Sequence, residues 1–581
     1  MNMKYIKKDN LLLYTLPSLL GVLFFYGVPF VLSFYYTLIN NMGDKKFIGL
    51  KNFSETLQNP MFQRGLTNQS LFIAIVVPLC LVLSLLLVSL LGRLKKGRNL
   101  VFLIFIAPFV LPSDTSIYFW KAIFDINGFA NRILYSLNIP VINWYNSKWV
   151  MIIAITIFVW KNLGVSSLIL YIGHNQIPRE YYEIADMEGV NKFQRYYKIT
   201  LVYLMPFIFI VILLLTVNSF KIFKEIYLLF GNYPDKNIYL LQHYMNNHFF
   251  RLNLQKLTTA SYLLFIIIAL SISLFFLLQK SYSDNFNSLN FQRVYNDIGT
   301  DAKMPSYFAS SFVIIIGLVF LLPLIFTISN SFMADAEIIR RYTGGMANQT
   351  LANKHFVNIG FIPKTFTIDN YLDLLNNSQH LKPYLNSIKI TLPIVIGQCI
   401  ISPLSAYGFE YSRWKYKEGV FLIYILIMLM PLQVLLVANY LIADWLNLID
   451  THLAIIVPAI FNPMGVFIIR LQLKGFPKEC IEAAHNNGAS NFQTFRDFVL
   501  PNIRTSILIL ALLTFTEYWN VVEQGIVLLK TSHLQPASIY LSQIKDSNSG
   551  MFFAISSLYL IPVFLTFHFS SKAILKDRIL E

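Results

Sequence analysis

Several polar and aromatic side chains stand inside long apolar stretches of this 581-residue chain. Burying a polar group in such a place is costly unless the group has a partner or a function. The residues fall in three consecutive stretches and comprise Asp114, Tyr118, Trp160, Asn162, Asn218, Ser219 and Phe220. Aromatic faces beside amide and hydroxyl groups suit a solute that has both apolar faces and many hydroxyl groups. These residues are therefore the candidate lining of a solute pathway.

The same residues also have purely structural interpretations. Asn218 can hydrogen-bond a neighbouring helix, and Trp120 can belong to the belt of aromatic side chains at a membrane surface. Lys161 can pair with Asp114, because neither charge is easily left alone in lipid. The sequence leaves both interpretations open.

The elements that position these residues follow from composition. Hydrophobic residues make up 56% of the chain and charged residues 13%, about half the charged fraction of a soluble protein, and the mean hydropathy is +0.55. A helix that crosses a membrane needs about 20 apolar residues. Twelve stretches meet this requirement, near 11–39, 69–92, 100–123, 149–172, 200–220, 258–279, 307–330, 385–409, 418–443, 453–472, 503–520 and 551–572. The pattern predicts an all-α polytopic membrane protein with twelve transmembrane helices.

Basic residues set the orientation. The net charge is +16, but the excess lies in short connections between apolar stretches, which is typical of cytoplasmic loops and does not indicate a nucleic-acid partner. The two terminal segments and two of these connections hold Lys4, Lys7, Lys8, Arg93, Lys95, Lys96, Arg98, Arg413, Lys415, Lys417, Lys572, Lys576 and Arg578. All fall on one side of a twelve-helix arrangement, so we expect both termini to be cytoplasmic. The first apolar stretch is too long for a signal peptide and predicts a retained helix.

A polar segment divides the chain into two halves. Residues 281–306 carry no apolar periodicity and predict a cytoplasmic linker. The first half, 1–280, and the second half, 307–581, each contain six of the twelve stretches.

The two halves share a repeated segment, at 177–202 and at 476–501, between the fourth and fifth stretches of each half. The matching pairs are Pro178 and Pro477, Glu180 and Glu479, Glu183 and Glu482, Ala185 and Ala484, Gly189 and Gly488, Phe193 and Phe492, and Gln194 and Gln493, each 299 residues apart (482 − 183, 488 − 189). A proline at the first helical position and a glycine at the end predict a helix of about ten residues, a turn and a second short helix. An ordered helix pair in a cytoplasmic loop indicates a docking element; the alternative is a helix lying on the lipid surface.

The repeat resembles the coupling motif of binding-protein-dependent ABC importer permeases, Glu-Ala-Ala followed by Asp-Gly and Leu-Pro. The second copy keeps Glu482, Ala483, Ala484 and Gly488, with Asn487 in place of Asp. The first copy keeps Glu183, Ala185 and Gly189 but has Ile184, Glu188 and Val202 at the other motif positions. The stretches 47–53, 159–164 and 219–229 resemble the first permease of maltose-type oligosaccharide importers, and 430–458 and 517–524 resemble the second.

The resemblance implies a transport subunit of the bacterial cytoplasmic membrane with two permease halves fused in one chain. It implies alternating access driven by two partner ATPase subunits, which bind ATP and Mg²⁺, and delivery of an oligosaccharide by an extracytoplasmic binding protein. Glu183, Ala185, Gly189, Glu482, Ala483, Ala484 and Gly488 are the implied coupling residues. With a docking segment in each half, we expect the chain to need no second permease.

Several other functions are weighed against this one. The sequence has no G-x-x-x-x-G-K-[ST] phosphate loop, no H-E-x-x-H zinc motif and no G-x-S-x-G elbow, so we expect no ATPase site, metal or cofactor in this chain. His243 and His248 are interpreted as ordinary outer-loop residues. A secondary transporter also has two helical halves, but the repeat here is a cytoplasmic docking loop and not an ion-coupling site. ABC importers of other small solutes remain an alternative.

Overall fold

A computed structural model describes residues 10–40, 46–91, 98–111, 113–174, 177, 179–251, 253–286, 306–343, 356–428, 432–474, 476, 478–544 and 549–576. Nearly all of the described residues are helical, and the extended pairing among them is limited to two isolated β-bridges, Ile39 with Phe47 and Met333 with Phe366. The all-α class predicted from the composition is confirmed.

The α-helices run Asn10–Val22, Val28–Leu38, Lys51–Gln58, Pro60–Leu91, Arg98–Val110, Ser113–Phe124, Phe129–Ser136, Val150–His174, Arg179–Met187, Lys192–Arg195, Leu201–Lys221, Phe223–Phe230, Leu241–Phe250, Leu254–Phe286, Ser306–Ser331, Asp335–Ile338, Asp369–Asn376, Ser378–Tyr411, Lys417–Met428, Leu432–Trp445, Leu453–Ile460, Pro463–Lys474, Lys478–Asn486, Asn491–Thr494, Leu500–Asn502, Arg504–Trp519, Glu523–Leu528, Ala537–Ile544 and Ser549–Lys576. Within the described ranges, π-helical turns lie at Leu23–Gly27, Tyr196–Thr200, Ile339–Thr343 and Phe495–Val499, and a 3₁₀ turn lies at Ser532–Leu534.

Eight helical stretches among the described residues are long and apolar enough to cross a membrane: Leu11–Leu38, Pro60–Leu91, Val150–His174, Phe193–Phe230, Val313–Ser331, Gln379–Tyr411, Leu453–Lys474 and Ser549–Thr566. A ninth candidate bends by 73° between Asn491–Asn502 and Arg504–Trp519. The chain is therefore a polytopic membrane protein, while twelve crossings and cytoplasmic termini stay predictions.

Two predicted spans each contain two described helices. The stretch 100–123 contains Arg98–Val110 and Ser113–Phe124, and the stretch 418–443 contains Lys417–Met428 and Leu432–Trp445. Residues 112 and 429–431 lie outside the described residues. Both spans therefore stay predictions.

The contacts group the chain into two compact units. One unit contains Met1–Thr56, His248–Phe265 and Ile368–Glu581; the other contains Leu57–Asn247 and Ile266–Thr367. Each unit thus includes segments from both halves of the sequence. The predicted linker 281–306 stays a prediction: the helix Leu254–Phe286 continues into it, and 287–305 lie outside the described residues.

In the unit that contains the C-terminal region, the helix Ser378–Tyr411 packs against Asn10–Val22, Pro463–Lys474 and Arg504–Trp519. A buried cluster lies between its helices and comprises Ile390, Ile394, Ala443, Ala454, Ile455, Ile456, Ala459, Tyr518, Val521, Leu528 and Leu529. Tyr424 donates a hydrogen bond to the hydroxyl of Ser18 at 3.2 Å. Lipid tails are as apolar as the side chains, so the hydrophobic effect does not drive helices together within a membrane. Van der Waals packing and interhelical hydrogen bonds hold them together there.

In the other unit, the helix Val150–His174 is central and packs against Pro60–Leu91, Arg98–Val110 and Leu201–Lys221. Phe72 and Phe158 meet edge to face, with ring centres 5.6 Å apart, and both are fully buried. This packing brings the predicted fourth and fifth spans side by side, and these spans carry most of the candidate pathway residues.

Candidate functional site

The two repeated segments have the same local structure. Each begins with a nine-residue helix, Arg179–Met187 in the first segment and Lys478–Asn486 in the second. The prolines of the motif, Pro178 and Pro477, lie outside the described residues. The predicted helix and turn are confirmed in both copies, whereas the second helix of the first copy is the start of a longer helical stretch, Phe193–Phe230.

Each of these helices ends at a glycine whose backbone has the left-handed conformation. The φ angle is +69° at Gly189 and +83° at Gly488, values that residues with a Cβ rarely adopt. After each glycine, the next amide bonds back across the helix end: Val190 N donates to the Ala185 carbonyl at 2.9 Å, and Ala489 N donates to the Ala484 carbonyl at 3.1 Å. This six-to-one bond is the Schellman arrangement, and it occurs at positions 299 residues apart.

The second part of each segment also matches. Asn191 accepts a hydrogen bond from Gln194 N at 2.8 Å, and Ser490 accepts one from Gln493 N at 3.2 Å, so both short helices are capped at their start. Ser490 N in turn donates to the side-chain oxygen of Gln493, and this second bond completes a capping box. A π-helical turn then follows in both copies, at Tyr196–Thr200 and Phe495–Val499.

The helices bury one side and expose the other. Ala185 and Ala484 are each 4% exposed, so the alanine shared by both copies packs inward. Glu183, Glu482 and Ala483 are exposed. The exposed side also carries large apolar residues, Ile184, Met187 and Phe193 in the first segment and Phe492 in the second. Exposed apolar residues in the same segment as an exposed carboxylate fit a protein contact surface.

The structure brings two of the predicted pathway residues together. Asn218 Nδ2 donates to Asn162 Oδ1 at 2.7 Å, and Asn162 Nδ2 donates to the Phe158 carbonyl at 2.9 Å. Asn162 is buried and Asn218 is partly exposed. The bond joins the helices Val150–His174 and Leu201–Lys221, so it also fits the structural interpretation of Asn218.

The remaining pathway residues have other surroundings. The Trp160 indole donates to the Phe320 carbonyl at 3.1 Å and meets Trp120 edge to face. Tyr118 packs against Tyr342, and the hydroxyl of Ser219 donates to the Thr216 carbonyl. Phe220 is buried. Asp114 lies in the helix Ser113–Phe124, and its side chain lies outside the described part of the structure.

A charged pair that the sequence analysis did not identify lies beside these residues. Lys161 forms an ion pair with Glu225, and both side chains are largely buried, at 14% and 6% exposed. Ser113 bonds to both residues of the pair. Its hydroxyl donates to Glu225 Oε1 at 2.8 Å and accepts from Lys161 Nζ at 3.1 Å. Lys161 therefore pairs with Glu225, whereas the alternative pairing with Asp114 stays a prediction, because the side chain of Asp114 lies outside the described part of the structure. The signal that could have suggested Glu225 is an acidic residue in or next to an apolar stretch, and Asp114 gives the same signal.

The histidines considered in the sequence lie on the helix Leu241–Phe250. His243 is fully buried, its Nδ1 accepts a hydrogen bond from Leu240 N at 3.0 Å, and burial lowers its pKa to about 3. Burial, together with Lys256 and Arg251, lowers the pKa of His248 to about 4. Within the described residues no group of three or more His, Cys, Asp or Glu side chains is placed to hold a metal ion.

Comparison with known proteins agrees with the repeated architecture. A family model described as a binding-protein-dependent transport system inner membrane component matches twice, at residues 81–286 and 400–578. The chain therefore belongs to this family, and it carries two permease halves in one multi-pass protein of the bacterial cytoplasmic membrane.

Three relatives illustrate the similarity. The arabinooligosaccharides transport system permease protein AraP of Bacillus subtilis is 31% identical over 249 residues, which is 40% of this chain and 76% of that protein. The trehalose/maltose transport system permease protein MalF of Thermococcus litoralis is 30% identical over 224 residues, 38% of this chain and 76% of that protein. AraQ, an arabinooligosaccharides permease of Halalkalibacterium halodurans, is 25% identical over 246 residues, 42% of this chain and 88% of that protein.

Proposed function

We propose that this chain is the membrane-spanning subunit of an ATP-driven importer for oligosaccharides. The two matching coupling segments are the observation that carries the proposal. Each would bind one ATPase subunit on the cytoplasmic side, so that one chain with two halves takes the place of a pair of permeases. ATP and Mg²⁺ would be bound by those ATPase subunits and not by this chain.

The geometry of the segments supports a coupling role. A short capped helix is stiff over its length and can pass on a rigid-body movement, which a flexible loop cannot. Glu183 and Glu482 would each pair with a basic group of an ATPase subunit, and the exposed apolar residues beside them would pack into the same cleft. Closure of the ATPase dimer would then draw the two coupling helices together and drive alternating access.

The substrate class follows from the relatives and from the candidate pathway. Two of the relatives are permeases for arabinooligosaccharides and one for trehalose and maltose. Asn162 and Asn218 offer amide groups beside buried aromatic residues, and this combination suits the hydroxyl groups and apolar ring faces of a sugar. An extracytoplasmic solute-binding protein would deliver the oligosaccharide to twelve spans whose termini both face the cytoplasm.

The proposal is tested by co-purifying the chain with its ATPase and reconstituting the complex in vesicles with the binding protein. We expect one permease chain to two ATPase chains, and uptake of a labelled oligosaccharide that requires ATP and the binding protein. A one-to-one ratio, or a need for a further membrane subunit, would contradict the two-half arrangement. Uptake driven by an ion gradient without ATP would indicate a secondary transporter.

A further inference from the structure

Arg470 is a buried cation close to the second coupling segment. It lies in the helix Pro463–Lys474, about one turn before that helix ends, and the coupling helix begins at Lys478. Its side chain is 1% exposed. A buried guanidinium is tolerated when anionic and aromatic groups surround it.

Its partners come from two other helices. Arg470 Nε donates to Glu410 Oε2 at 3.1 Å, and Nη2 bonds to Glu418 Oε1. The guanidinium carbon lies 4.0 Å from the centre of the Phe421 ring. Glu410 is the penultimate residue of the helix Ser378–Tyr411. Glu418 and Phe421 lie in the first turns of the helix Lys417–Met428. One side chain therefore joins the ends of three helices.

The same helix ends also contact the coupling segment. The hydroxyl of Tyr407, one turn before Glu410, lies 3.5 Å from the Asn491 carbonyl, and its ring packs against Phe495 with centres 5.4 Å apart. Gln472 Nε2, two residues after Arg470, donates to the Asn502 carbonyl at 2.6 Å. A displacement of the second coupling segment therefore reaches the helices that Arg470 connects.

The first half has a different residue at the matching position. Tyr171 lies 299 residues before Arg470, and its ring packs 4.8 Å from that of Phe102. The two coupling segments thus share their helix, glycine turn and π-helical turn but differ at the residue that anchors the preceding helix. A planar guanidinium bonded to two carboxylates fixes the orientation of the groups that it joins.

We propose that Arg470 is a positioning residue that makes the three helix ends it joins move as one body with the second coupling helix, so that the coupling of ATP hydrolysis to transport depends on it. The inference rests on the proposed function. Arg470 acts through Glu410 and Glu418, which hold the neighbouring helix ends, and it contacts no substrate.

The test uses the full complex in vesicles and measures the number of oligosaccharides transported per ATP hydrolysed. The key variant is Arg470→Met with Glu410→Gln, which removes the connection without leaving a buried charge unpaired. We expect normal co-purification of the ATPase and a fall of about fivefold in the transport-to-hydrolysis ratio. Arg470→Lys keeps the positive charge but loses the planar guanidinium that bonds to two carboxylates at once, so it should give an intermediate ratio.

Different outcomes separate the two ideas. A double variant that transports with the wild-type ratio, or one whose uptake and hydrolysis fall in proportion, would assign Arg470 a merely structural role and overturn the inference. Wild-type vesicles that take up no oligosaccharide would overturn the proposed function, and the inference with it.

Discussion

Gly189 and Gly488 stand 299 residues apart in the chain and end their helices in the same way, with φ angles of +69° and +83°. A Cβ added at either position would meet no atom within 4 Å. The two glycines are therefore required by the backbone conformation and not by crowding, and a Cβ there is unfavourable because of the positive φ.

The first prediction concerns these turns. Gly488→Asp places a Cβ in the left-handed region and a negative charge at a helix C-terminus, each of which costs on the order of 1 kcal/mol. We expect weaker co-purification of the ATPase and a loss of transport-coupled hydrolysis. Gly189→Asp should have a smaller effect, because the first copy departs further from the coupling motif.

Asparagine is the matched control for these variants. It has the same shape as aspartate without the charge, and it tolerates the left-handed region better than other residues with a Cβ. Gly488→Asn should therefore retain most of the activity. If both aspartate variants keep the ATPase bound and fully coupled, the repeated segments are not the coupling elements.

The local structure of the two repeated segments was predictable because each of their signals is local. The glycine that ends the helix and the polar residue that caps the next one stand within a few positions of each other, and the repeat presents them twice. The duplication also shows which positions of the two segments correspond, since Glu183 and Glu482 align without a gap. Local rules therefore sufficed for these segments.

The buried ion pairs were harder to predict because they join residues far apart in the chain. Lys161 had several acidic residues within reach of a helical bundle, and nothing in the sequence distinguished Glu225 from Asp114. Arg470 falls inside a predicted span, yet its two carboxylates precede it by more than 50 residues. Helix packing decides which charged residues form pairs, and this packing cannot be predicted from hydropathy.

The second prediction concerns the pathway. Asn218→Ala removes the donor to Asn162 Oδ1 and an amide that could contact a sugar hydroxyl. We expect transport to fall about tenfold, the size of one buried polar interaction, with unchanged co-purification of the ATPase. Thr216→Val is the control, because that hydroxyl bonds to the Ile212 carbonyl of its own helix. Equal transport by the Asn162→Ala, Asn218→Ala and Phe220→Ala variants and the wild type would rule out this pathway.

The third prediction concerns pH and the segment that follows the helix Ser306–Ser331. Burial raises the pKa of Glu337, but hydrogen bonds from Thr365 and Lys364 and the charge of Arg341 outweigh it and lower the pKa to about 2. The backbone amides of Lys364 and Thr365 donate to this carboxylate at 2.9 to 3.2 Å. The carboxylate therefore holds residues 364–365 against the helix Asp335–Ile338.

A carboxylate whose pKa is lowered by folding stabilises the folded form above its unfolded pKa, near 4.3. This contribution is lost as the pH falls from there through about 2. Hydrogen exchange of the Lys364 and Thr365 amides should show protection that is steady at neutral pH and declines below about pH 4. Glu337→Gln is the control, and its protection should not change over that range beyond the intrinsic exchange rate. Parallel curves for the two proteins would show that Glu337 does not anchor the segment.

The last prediction concerns the charges at Lys161 and Glu225. Lys161→Met leaves the Glu225 carboxylate buried with the Ser113 hydroxyl as its neutral partner, and breaking a buried ion pair on one side costs about 3–5 kcal/mol. We expect a clear fall in the melting temperature of the purified protein in detergent. Lys161→Met with Glu225→Gln removes both charges, and replacing a buried pair by neutral groups of similar size is often close to neutral in stability. The double variant should therefore recover most of the lost stability, and transport by it then tests whether the charges themselves serve the pathway. A single variant as stable as the wild type would mean that Glu225 is not buried against Lys161 in the membrane.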